Sequence, residues 1–132
     1  MGNLLKKLQN VINGFIAEKE KRFLAFSKKM NEDYDWFFRH QADDMFIVNL
    51  ELKQLRQLLD ELDTNELNNY EKMVGWVDDT EHYYFQKLAG APVTVCTNIP
   101  MNNLANVHEH TVWQNMYRTM GKIRSIVEKY QH

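Results

Sequence analysis

Three histidines stand among carboxylates in this chain: His82 beside Asp79 and Glu81, and His108 and His110 on either side of Glu109. Imidazole and carboxylate together form the donor set of a divalent transition metal, and helical bundles hold such ions on inward-facing Glu and Glu-x-x-His positions. Asp79 and His82 have the spacing that puts both on one helical face. His108 and His110 do not, because positions two apart on a helix diverge by about 200°. A metal site on Asp79, Glu81, His82, His108, Glu109 and His110 is therefore the alternative reading, and the preferred one needs no cofactor. Glu81 and Glu109 could also divide acid and base roles, as neighbouring carboxylates do. No nucleophile accompanies them. Cys96 follows Val93-Thr94-Val95 and reads as a small apolar residue. The chain has no Gly-rich phosphate loop, Cys-x-x-Cys pair or Gly-x-Ser-x-Gly elbow. An enzyme is thus less expected than a binding protein.

The elements that must position these residues are helices. From Tyr34 to Leu62 the residues Tyr34, Phe38, Gln41, Met45, Val48, Leu52, Leu55, Leu59 and Leu62 recur at alternating steps of four and three, the seam of a long packed helix. Before it, Leu5, Leu8, Ile12, Phe15, Phe26 and Met30 make a similar stripe, with Lys19 and Arg22 at positions that call for apolar residues. After it come Leu67, Tyr70, Val74, Val77, Tyr84 and Leu88, interrupted by Glu81, and then Trp113, Met116, Met120, Ile123, Val127 and Tyr130, which lead back to Glu109. Asn31-Glu32-Asp33 supplies cap-type side chains to the second helix, and Asp63-Thr64-Asn65-Glu66 has the form of a capping box opening the third. Gly90 and Pro92 stop the third helix. The expected fold is all-α: a single domain over 1–132, an up-down-up-down antiparallel four-helix bundle with one long connection, about 91–102, between the third and fourth helices.

Tight antiparallel turns would set Lys19, Arg22, Gln41, Glu81 and Glu109 within about two helical turns of one another. Such a belt is expected to be a buried polar network in which Lys19 and Arg22 neutralise Glu81 and Glu109. A network of this kind sets helix register more than it adds stability.

Charge is unevenly divided. The first helix carries seven Lys or Arg against two Glu, and the stretch from Glu32 to Asp63 three against nine acids, within a net charge of −2. Lys6, Lys7, Lys21, Lys28, Lys29, Lys122 and Arg124 would form a basic face on the first and last helices, able to meet phosphates, but without a recognition motif nucleic acid is not the favoured partner. Trp36-Phe37-Phe38 and Tyr83-Tyr84-Phe85 point around most of a helix and cannot all enter one core. With Ile99 and Met101 of the long connection, Trp36, Phe37, Tyr83 and Tyr84 are the expected partner-binding surface. A protein partner and homo-oligomerisation follow, in a regulatory or adaptor-like role. The 132 residues are 44% hydrophobic, without a run of the ~20 apolar residues that a membrane span needs. No signal peptide is expected, Lys6 spoils the resemblance of Met-Gly-Asn-Leu-Leu-Lys to a myristoylation site, and a lone cysteine suits the reducing cytoplasm.

Overall fold

Apolar residues recurring every three or four positions fold here into five helices: α1 (Gly2–Glu32), α2 (Tyr34–His40), α3 (Ala42–Thr64), α4 (Tyr70–Gly90) and α5 (Met101–Tyr130). The computed structural model describes residues 2–90 and 101–130, with their side chains over 2–89 and 108–130. The all-α expectation holds among these residues. The expectation of four helices does not.

The difference lies at Gln41, in the seam predicted to run unbroken from Tyr34 to Leu62. Asp33 caps α2 as expected, its carboxylate accepting the Trp36 N–H at 3.2 Å. Seven residues later the helix stops: Gln41 adopts φ −132° and ψ −5°, and its N–H closes α2 on the Phe37 carbonyl at 2.7 Å. The α2 helix is rolled so that Phe37 is buried against Phe26 of α1, with ring centroids 6.4 Å apart. Tyr34 and Phe38, the first two residues of the predicted seam, face solvent instead.

The third helix also starts later than predicted. Thr64 still belongs to α3, Asn65 is its C-cap, and the N-terminal cap of α4 is Asn69, whose side chain accepts the Lys72 N–H at 2.8 Å. The segment Asp63 to Glu66 is therefore the end of one helix rather than the capping box of the next.

Cross-helix contacts give the directions. Gln9 with Asp63 and Lys19 with Glu51 set α1 antiparallel to α3. Tyr84 against Trp113 and Glu81 with Arg124 set α4 antiparallel to α5. Asp43 with His108 and Glu51 with Asn115 show α3 and α5 running parallel and packed on each other. The helices α3 and α4 stand further apart, with no Cα of one within 8 Å of a Cα of the other among the described residues. Only side chains bridge them.

The core is one cluster: Leu4, Leu8, Ile12 and Ile16 of α1; Val48, Leu52, Leu55, Leu58 and Leu62 of α3; Met73, Trp76, Val77 and Tyr84 of α4; and Val112, Met116, Met120, Ile123 and Val127 of α5, closed at one end by Leu67. Burying each large aliphatic side chain contributes about 1.5–3 kcal/mol. In the second half of α1 no residue is fully buried. That half carries Lys19 and Arg22 and lies against α2.

Candidate functional site

Lys19 is half-buried, and its ammonium meets the Glu51 carboxylate at 2.6 Å. Glu51 is 3% exposed, the one buried charged residue among those described, and also accepts from the Asn115 amide at 2.8 Å. This pair and Asn115 line a groove of about 320 Å3 between α1, α3 and α5, with Phe15, Arg118 and Lys122 at its edge. Lys122 lies over the Phe15 ring, 5.7 Å from its centroid. The acid that satisfies Lys19 was absent from the predicted belt, although Glu51 sits three residues after Val48 and four before Leu55, on the core face of α3.

Glu81 belongs to a separate cluster. Arg124 donates to Glu81 at 2.9 Å and to Asp78, with Glu128 one helical turn further along α5. Glu81 and Asp78 hold the guanidinium pKa above its ordinary value, chiefly by accepting its hydrogen bonds. Arg124 is nine residues beyond Asn115 on α5, so the clusters are about 13 Å apart along the helix. Gln41 stands at the α2–α3 break, about 15 Å from Glu51. Arg22 is exposed, and Glu109 is half-buried on α5, six residues before Asn115, in neither cluster. The predicted belt of Lys19, Arg22, Gln41, Glu81 and Glu109 is thus corrected to two separate clusters, Lys19 with Glu51 and Glu81 with Arg124 and Asp78.

The reason is register. A tight turn at Asn31 would set Lys19 beside Asp44, yet its partner is Glu51, seven positions on (51 − 44). The helix α2 is seven residues long and occupies that length at the end of the molecule.

The six residues proposed as metal ligands do not converge. Asp79 lies on the groove between α3 and α4, Glu81 is held by Arg124, and His82 is exposed on the far side of α4 near Asp78 and Phe85. His108 lies 3.4 Å from Asp43 and edge-on to Phe46, while Glu109 and His110 are half-buried further along the same helix. Among the described residues no three His, Cys, Asp or Glu side chains gather where an ion could be held. The His110 Nδ1 atom is buried without a hydrogen-bond partner.

The aromatic surface is partly as predicted. Trp36 is 37% exposed, stacks on His40 and carries the Lys29 ammonium 4.9 Å above its ring. Tyr83 is also exposed. Phe37 and Tyr84 are buried, at 3% and 2%, and leave the predicted surface. Their places are taken by neighbours: Tyr34 and Phe38, stacked on each other at 6.1 Å, are 61% and 64% exposed. Phe46 and Phe85 are exposed as well. The predicted contacts at Ile99 and the Met101 side chain lie outside the described residues.

A second groove, of about 330 Å3, opens where α3 and α4 stand apart. Its walls carry Trp76, Tyr83 and Tyr84 with Glu61 and Asp79. The Trp76 indole N–H donates to Glu61 at 3.2 Å, and the Tyr84 hydroxyl donates to Gln54 at 3.3 Å. Burial pushes the Tyr84 phenol well above its ordinary pKa, with the Glu61 carboxylate adding to the shift.

Comparison with protein-family models, with curated proteins and with solved structures gives no match. No helix among the described residues is long and apolar enough to cross a membrane.

Proposed function

We propose that this chain is a helical scaffold that acts by binding another protein, in the first instance a second copy of itself, and that α2 carries the contact. One observation supports the reading above the rest. A seven-residue helix spends one aromatic ring, Phe37, on the core and turns three, Tyr34, Trp36 and Phe38, to solvent. Exposed aromatic rings clustered on one element are the common signature of a protein contact, because each brings large apolar area with few rotatable bonds. Asp35 and Arg39, both exposed and four apart, give the same element one charge of each sign. A copy related by a two-fold axis can pair them reciprocally.

In this reading the four long helical segments form an up-down bundle that presents α2, and the protein is regulatory or adaptor-like, in the reducing cytoplasm that a single cysteine suits. Nucleic acid is less well supported, since Arg124 of the basic face is taken up by Asp78 and Glu81 on α4. The test is sedimentation equilibrium of the wild type beside Trp36→Ala and Phe38→Ala. Both variants should keep the helical circular dichroism of the wild type and dissociate at about tenfold higher concentration. A wild type that remains monomeric at high micromolar concentration would overturn self-association.

A further inference from the structure

The groove between α3 and α4 is lined by acidic and aromatic side chains. Two carboxylates face it, Glu61 from α3 and Asp79 from α4, and no Lys or Arg is among the described residues lining it. The chain from 91 to 107 contains neither. Three aromatic rings complete the walls, and an aromatic face beside a carboxylate is the environment that holds an ammonium group most strongly, by combining ring quadrupole and full charge. Trp76 fixes Glu61: its indole N–H occupies one of the carboxylate's acceptor positions and leaves the others for a ligand. Lys87, whose ammonium lies 5.6 Å from the Tyr83 ring centroid and 5.8 Å from that of Trp113, is not among the residues that line the groove.

We infer that the α3–α4 groove binds an organic ammonium group on a short apolar stem, with Glu61 and Asp79 as counter-charges and Trp76 and Tyr83 as the aromatic walls. The stem's source is either a free alkylamine or a lysine side chain of another protein. At about 330 Å3 the groove is at the small end of ligand sites, suited to a few-carbon stem and too small for a large cofactor. The rings exclude water from the stem, and the carboxylates replace the hydration of the ammonium. The inference does not depend on the α2 contact, since Tyr34, Trp36 and Phe38 lie on a different element.

The experiment is a titration of the full chain followed at the Trp76 indole N–H in 1H–15N spectra. The probes are 1,4-diaminobutane, Nα-acetyl-lysine N-methylamide and, as the uncharged control, 1,4-butanediol. Either amine should give a saturable shift that weakens with added salt, and the diol should give none. Tighter binding of the diamine assigns the site to free amines; tighter binding of the lysine derivative assigns it to a protein side chain. The combined Glu61→Gln and Asp79→Asn variant should lower affinity by about tenfold or more. Glutamine at 61 retains an acceptor for Trp76, so the wall should stay in place, as unchanged circular dichroism and thermal midpoint would verify. No saturable shift with either amine, an equal response to the diol, or unchanged affinity in the double variant overturns the assignment.

Discussion

At the residue scale the informative group is Glu51, a carboxylate almost wholly removed from water and neutralised by one lysine. Replacing a buried ion pair by apolar residues is often neutral or favourable, whereas removing one partner leaves an uncompensated charge inside. Lys19→Met alone should therefore destabilise the fold by about 3 kcal/mol, and Lys19→Met with Glu51→Leu should recover most of that loss. Urea unfolding of the two single variants and the double variant measures the coupling directly. Tyr84 makes a separate prediction. Its phenol pKa is raised in the fold, so the unfolded chain releases this proton first as pH rises. Its share of the stability is intact below about pH 10, the ordinary phenol value, and declines above it. Denaturant midpoints between pH 9 and 11.5 should fall less steeply in Tyr84→Phe than in the wild type.

At the scale of elements, caps and glycines are the adjustable parts. Asp33 and Asn69 each accept a backbone N–H that would otherwise be unpaired at a helix start. Alanine at either position should cost about 1 kcal/mol, read from thermal midpoints. Asp63, in the segment that resembles a capping box, caps nothing; its carboxylate takes the Gln9 amide at the surface. Gly14 lies inside α1 on the exposed side, and a β-carbon there would meet nothing within 4 Å. Gly14→Ala should stabilise the protein by up to about 1 kcal/mol, because alanine loses less backbone entropy on entering a helix.

For the molecule as a whole, α2 has opposite requirements on its two sides. Phe37 anchors it to Phe26, and Phe38, the next residue, is 64% exposed. Phe37→Ala should cost about 3 kcal/mol or more in stability, while Phe38→Ala should leave stability within about 0.5 kcal/mol and change association alone. Chemical denaturation beside sedimentation of the same two variants separates these roles. Equal stability losses would mean that both rings are buried.

Helical period was legible in the four long stretches that the apolar stripes mark. The steps of three and four found the helical stretches, and half of the apolar residues they point to, Leu8, Ile12, Val48, Leu52, Met116 and Val127 among them, are buried. Asp33 as a cap and Trp36 and Tyr83 as exposed rings were also readable, since capping and crowded consecutive aromatics are local properties. The break at Gln41 was not, because Tyr34 and Phe38 continue the seam's spacing without a slip and only the burial of Phe37 against Phe26 rolls α2 away from it. That seven-residue offset moved Lys19 from Asp44 to Glu51, and with it every comparison of depth between α1 and α3. Periodicity determines which face of each helix is apolar, because it depends only on neighbours in sequence. Which charged residue meets which depends on where each helix starts and stops, and packing between distant segments sets those points.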